Sequence, residues 1–316
     1  MPMKKMAAVL LAAVLLLSAV SGCGQSTQQQ EDTASVQVVA SFYPVYIAAA
    51  NLVDGVEGVK LTNLTQPTTG CLHDYQLSPQ ELMSLETADC LLINGAGMES
   101  FLDKVIENYP DLAIVTASDG IDMMEEEGHD HDHGHEKGEV HSPLEEETVN
   151  PHVWVSISQY MQYVENIRDG LIAADPAHAR QYEKNASVYL EKVEKLKNRM
   201  HEALDNVSHR DIITFHEAFG YFAQEFNLHV VGVIQREPGT DPTARELVDI
   251  IETVQSTGCK ALFAEPQYSS GVADTIARET GAHIYMLDPA VSGETDKDAY
   301  LRAMDQNLQV LLEALS

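Results

Sequence analysis

Asp211-Ile212-Ile213-Thr214-Phe215-His216-Glu217-Ala218-Phe219-Gly220 decides the fold. A short run of β-branched and apolar residues, 211–215, reads as a strand and ends on a histidine. A helical pattern over 218–226 follows at once. A strand that gives way directly to a helix is half of a βαβ unit. The alternation continues to the C-terminus. A strand at 229–234 is followed by a helix opened by Asp241-Pro242 and run to Thr257 before Gly258. Then come a strand at 260–264, a helix at 269–280 closed by Gly281, a strand at 283–287 and a last helix from Asp296. Repeated strand–helix alternation predicts a parallel sheet covered by helices.

The first half reads the same way. Strands are expected at 36–40, 90–93 and 112–116, and helices at 46–53, stopping near Gly55, and at 98–108. Ser78-Pro79-Gln80-Glu81 is a capping box with proline at the first helical position, so a helix starts there. Ser156 can cap a helix to about Ala174. Pro176 opens a longer one to about Asn206, where Tyr182, Tyr189, Val193, Leu196 and Met200 recur on one face. The expected architecture is α/β. Two lobes of parallel sheet flanked by helices, 36–175 and 207–316, are joined by one long rigid helix, 176–206. The site is expected in the cleft between lobes.

One tract breaks the alternation. Residues 122–147 carry no helical or strand period and hold Gly128-His129-Asp130-His131-Asp132-His133-Gly134-His135, with His141 beyond. Five of thirteen histidines lie there. Such a segment cannot bury a core and reads as a loop. Its imidazoles are borderline-soft ligands for zinc, copper, nickel or iron. Ordering them costs entropy, so they are expected to bind metal weakly and as an accessory.

Composition narrows the partners. Of 316 residues, 49 are acidic and 19 are Lys or Arg, a formal net charge of −30. That argues against nucleic acid and suits a cationic ligand. Residues 1–22 read as a signal peptide, with Lys4 and Lys5 before an apolar run too short to span a bilayer comfortably. Ser21-Gly22-Cys23 resembles a lipobox, which makes Cys23 the expected lipidation point and 23–35 a Gln/Ser/Thr-rich tether. The chain is therefore expected outside the cytoplasmic membrane, lipid-anchored to its outer face. The remaining cysteines, Cys71, Cys90 and Cys259, are odd in number and lack C-x-x-C spacing.

In open α/β sheets ligands bind beyond the carboxyl ends of strands. His216, Glu265 and Asp288 follow three expected strands. His73 precedes the capped helix at Ser78, and His152 sits in Asn150-Pro151-His152-Val153-Trp154, where the chain re-enters the fold. Three histidines and a carboxylate, two from each half, suit zinc well and manganese or iron acceptably.

The local wording adds a resemblance. Leu72-His73-Asp74-Tyr75 with Pro79, Asn-Pro-His152-Val-Trp, Phe215-His216-Glu-Ala-Phe-Gly-Tyr, Glu237-Pro238, Phe263-Ala-Glu265-Pro-Gln and Leu287-Asp288-Pro follow one another in order across residues 36–316. Together they resemble the metal-binding lipoproteins of zinc and manganese ABC importers. The resemblance implies two α/β lobes with a rigid connecting helix. It implies ligands at His73, His152 and His216 with a fourth position at Asp288, Glu294 or water being the other candidates for it. Manganese-type members carry a carboxylate where His216 stands, so the resemblance is to the zinc-type branch, with Zn2+ as the transported ligand and Mn2+ possible in principle. Many members have proline before the first ligand, where this chain has Cys71-Leu72-His73. Glu217, Glu265 and Glu237 are candidates to orient the imidazoles, and Tyr75 and Trp154 to wall the site. The implied partners are an ABC permease and its ATPase, with the receptor itself a monomer and not an enzyme.

Two other classes fit parts of the sequence. His216-Glu217 opens like the H-E-x-x-H of zinc hydrolases, but Gly220 stands where the second histidine would be. A metal-binding adhesin would share every feature above except the transport partners.

Overall fold

The computed structural model describes residues 35–69, 72, 75–125, 149–234, 242–266 and 271–316. Within residues 36–316 the strands form two parallel sheets. The first contains β1 (Val36–Ala40), β2 (Val59–Asn63), β3 (Cys90–Ile93) and β4 (Ala113–Thr116), in the order β2-β1-β3-β4. The second contains β5 (Asp211–Thr214), β6 (His229–Val233), β7 (Ala261–Ala264) and β8 (His283–Met286), in the order β6-β5-β7-β8. The two orders are the same. Each sheet therefore has one switch point, between β1 and β3 and between β5 and β7, where neighbouring strands lead to opposite sides.

Alternation along the strands sorts the core. Val38, Ala40, Cys90, Leu92, Ile212, Ala261 and Phe263 face one shared core that spans both lobes. Their neighbours Val39 and Leu91 face a separate cluster on the outer side of the first sheet. Ile213, Leu262 and Ala264 face another outside the second sheet. Helices therefore cover both faces of each sheet, which is why these short strands are nearly all apolar.

The long helix is the axis of the shared core. A 3-10 turn, Pro176–His178, leads into Ala179–Leu204, and Tyr182, Ala186, Tyr189, Val193, Leu196, Met200 and Leu204 are all buried along it. It packs against helices Tyr43–Leu52, Ile157–Ala174 and Ala299–Leu315. Tyr160 stacks on Tyr300 at 3.6 Å between centroids, and its hydroxyl lies 3.0 Å from that of Tyr189. Each large apolar side chain in such a stripe contributes about 1.5–3 kcal/mol by burial. Peeling this helix from either lobe would cost many times that, so movement between lobes is restricted to small adjustments.

Several expected elements differ in detail. β2 was not expected; Val59-Lys60-Leu61-Thr62-Asn63 is a half-exposed edge strand with little apolar signal. The helix expected at 46–53 runs Tyr43–Leu52, because Pro44 suits a first helical turn. The helix expected at 98–108 is a 3-10 turn, Ser100–Leu102, and a single turn, Asp103–Ile106. Positive φ at Gly95, Ala96 and Gly97 delays its start. The helix expected from Asp241-Pro242 starts at Ala244, with Thr243 and Glu246 forming its capping box. Gly258 closes it at φ +68°.

Cys90 and Cys259 are both buried free thiols. Among the described residues no helix is long and apolar enough to cross a membrane. Cys23, Cys71, His73, Glu237 and the tract histidines His129, His131, His133, His135 and His141 lie outside the described residues.

Candidate metal centre

Two imidazoles meet between the lobes. His152 precedes the 3-10 turn Val153–Val155, and His216 follows β5 in extended conformation. Their ring centroids are 4.7 Å apart and the planes are near perpendicular, at 89°. Each residue is only 2% exposed. Two buried imidazoles edge to face would repel if both were charged, so the pair is built to be neutral or to share a cation.

The His152 tautomer is set by its neighbour. Asn150 Nδ2 donates to the Glu217 carbonyl at 2.9 Å, which turns Oδ1 toward His152. That oxygen accepts from the His152 backbone N–H at 3.0 Å and lies 2.9 Å from its Nδ1. Nδ1 therefore carries the proton and Nε2 the lone pair, the arrangement of metal-binding histidines. Trp154 backs the ring at 5.2 Å between centroids, packs on Phe42, and donates Nε1–H to the Pro289 carbonyl at 2.8 Å.

Two carboxylates of the C-terminal lobe follow β7 and β8. Glu265 follows β7, is fully buried, and has Oε1 3.9 Å from His216 Nδ1. Burial drives its pKa well above the usual carboxylate range, and the Asp288 charge adds to that. Asp288 follows β8, and burial raises its pKa too, against a hydrogen bond from the Ala290 N–H. Its backbone is held twice by Asn307, which accepts from the Asp288 N–H at 2.8 Å and donates to its carbonyl at 2.7 Å. Two carboxylates whose ionisation burial suppresses, one of them 3.9 Å from His216 Nδ1, form a place where a cation would relieve the cost of charge.

The other expected residues fall as follows. Glu217 contributes its carbonyl to Asn150, and Glu294 accepts at its carbonyl from the Tyr43 hydroxyl, 2.7 Å. Tyr75 donates its hydroxyl to Glu81, 2.5 Å, and packs on Phe101. Among the described residues no three His, Cys, Asp or Glu side chains form a metal-holding group; His73, the third expected imidazole, lies outside them. Asn150 and Asn307 were not singled out from sequence. Asn150 could have been, since an asparagine two residues before a histidine across a proline can turn back onto it. Asn307 lies mid-helix and carries no such signal.

The neck of the histidine-rich tract is tied to this site. Glu125 and Val149 form an isolated antiparallel bridge, and the Asn150 N–H donates to the Met124 carbonyl at 2.9 Å. The Tyr221 hydroxyl accepts from the Met124 N–H at 2.9 Å and donates to the Asn150 carbonyl at 2.6 Å. Residues 124–125 and 149–150, which flank the tract, are thus paired with one another two positions before His152.

The model of the ZnuA family, described as zinc-uptake complex component A, periplasmic, matches residues 38–314. The chain belongs to that family. Among relatives of the ZnuA family, the high-affinity zinc uptake system protein ZnuA of Bacillus subtilis is 31% identical over 314 residues, 96% of each chain. The zinc-binding protein AdcA of Streptococcus pyogenes is 30% identical over 303 residues, 91% of this chain. The present chain spans only 58% of that relative's length. A crystal structure of a ZnuA superposes with a TM-score of 0.74 at 25% identity, covering 89% of this chain and all of that one.

Proposed function

We propose that this ZnuA-family protein is the extracytoplasmic zinc receptor of an ABC importer. It captures Zn2+ and delivers it to a membrane permease driven by an ATPase. The observation that carries the reading is the buried His152–His216 pair, one imidazole presented from each lobe, with Glu265 Oε1 3.9 Å from His216 Nδ1. His73, His152 and His216 supply nitrogens and Asp288 an oxygen, a set that favours zinc over harder cations. Glu265 backs His216, and Asn150 orients His152.

A closed shell of this kind suits capture rather than chemistry, since a catalytic zinc needs an open position and a placed base. The protein acts as a monomeric receptor and not as an enzyme. Cys23 carries the lipid, which holds it at the outer face of the membrane. The histidines of residues 129–141 collect ions weakly. A metal-binding adhesin would share this site; zinc uptake that depends on a permease and its ATPase separates the two.

The test is calorimetric titration of zinc into the full chain and its His73/His152/His216→Ala variant. One tight site is expected in the first and none in the second. Undiminished tight binding in the variant would sink the proposal.

A further inference from the structure

At the ends of its central strands the N-terminal sheet buries a carboxylate that the proposed metal ligands do not include. Glu99 is 4% exposed and lies at the switch point between β1 and β3. Its Oε1 accepts from Ser41 Oγ, just after β1, and from the Asn94 N–H, just after β3, both at 2.7 Å. Its Oε2 accepts from the Gly95 N–H at 3.0 Å. Only glycine fits there: φ is +83°, and a Cβ would collide with the Thr116 side chain. Thus one carboxylate ties together the ends of two central strands.

The tie does not stop at the turn. Asn94 turns its side-chain amide toward the other segment, where Nδ2 donates to the Pro151 carbonyl at 3.0 Å and to the Gly95 carbonyl at 2.9 Å. Pro151 carries the peptide that leads into His152. His152 is therefore gripped from both sides, by Asn150 on its ring and by the Glu99–Asn94 link on its backbone.

We propose that Glu99 is a positioning residue of the metal site, fixing through Asn94 and Pro151 the peptide that carries His152 and so raising affinity for the cation. The inference rests on His152 being a ligand, as argued above. A group that only closed its own turn would leave metal affinity unchanged when altered.

Burial pushes the Glu99 pKa up to about 7, against the hydrogen bonds from Ser41, Asn94 and Gly95. The groups that face it are these three and, from helix Ile157–Ala174, the Tyr163 phenol, whose own ionisation is suppressed by burial and by the Glu99 charge. Among the described residues no cation faces it. As pH falls through neutrality the carboxylate gains a proton, one acceptor position becomes a donor, and the grip on Asn94 loosens.

The experiment is a competition titration of zinc against a chromophoric chelator, from pH 8 to pH 6, on the full chain. Wild type, Glu99→Gln, Asn94→Ala and His152→Ala are compared, with Tm recorded for each. Partners behind a ligand are commonly worth 10–100-fold in metal affinity. Glu99→Gln is expected to stay folded and to bind about tenfold more weakly at pH 8, with the gap narrowing toward pH 6. If Glu99→Gln does not fold, Asn94→Ala reads the same link and should weaken binding several-fold. Wild-type affinity at pH 8 in the folded Glu99 variant, or in Asn94→Ala if that alone folds, would overturn the inference, provided His152→Ala loses binding. Tight binding retained by His152→Ala would instead overturn the ligand assignment.

Discussion

The two sheets share one strand order, yet their switch points are put to opposite uses. Between β1 and β3 the N-terminal sheet buries a carboxylate whose two oxygens are filled by Ser41, Asn94 and Gly95. Between β5 and β7 the C-terminal sheet buries His216 and Glu265 3.9 Å apart, with Asp288 acting on Glu265 through its charge. One crevice satisfies its charge with the protein's own donors and becomes a fixed support. The other brings an imidazole within 3.9 Å of a buried carboxylate that feels the charge of a second one. Topology places the polar ends; the proposed function assigns the metal to the end that carries the imidazoles.

The strongest way to break this contrast is at the acceptor-rich end. His216→Ala should lower zinc affinity by at least about 1000-fold, roughly 4 kcal/mol, while the Tm of the metal-free protein changes little. A chelator titration beside a thermal melt checks both. Trp154→Ala tests the wall the two lobes share. It removes a fully buried ring that packs on Phe42 and His152 and bonds Pro289. Loss of about 3–5 kcal/mol of stability is expected from urea unfolding.

At the donor-filled end the expected effect is on pH dependence. The folded pKa of Glu99, about 7, lies above the ordinary value of 4.5. Between the two the folded state holds the extra proton, so stability falls as pH rises through that window, by on the order of 3 kcal/mol. Melts of the metal-free protein from pH 4.5 to 7.5 should show that fall in wild type and a shallower one in Glu99→Gln. Parallel curves would mean that Glu99 is not the titrating group. The smallest effect is on wild-type affinity near neutrality. A free imidazole titrates near roughly 6.5, so on that value zinc binding should weaken about twofold per histidine ligand between pH 7.5 and 6.5 and more steeply below.

What could be read from the sequence was whatever local pattern controls. Alternation set out both parallel sheets, and the 182–200 stripe set out the connecting helix, because burial on one face leaves a periodic trace. The capping box at Ser78 did the same for its helix. β2 left almost none, since an edge strand with Lys60, Thr62 and Asn63 buries too little. Placing His216, Glu265 and Asp288 at strand ends followed from the rule for open sheets. Glu99 escaped notice because its partner Ser41 is 58 positions away and it stood inside an expected helix. A glycine-rich turn directly after β3, followed by a carboxylate, was the available signal. Asn307 had none, as its hold on Asp288 exists only once the last helix docks.

The deciding measurement is a structure of the zinc-loaded full chain with anomalous scattering recorded at the zinc edge. One dominant peak is expected about 2.0–2.1 Å from His152 Nε2 and from a His216 ring nitrogen, with His73 and Asp288 completing the shell. A dominant peak held only by histidines of residues 129–141, with the 152–216 pair bare, would contradict the assignment of the site to the cleft.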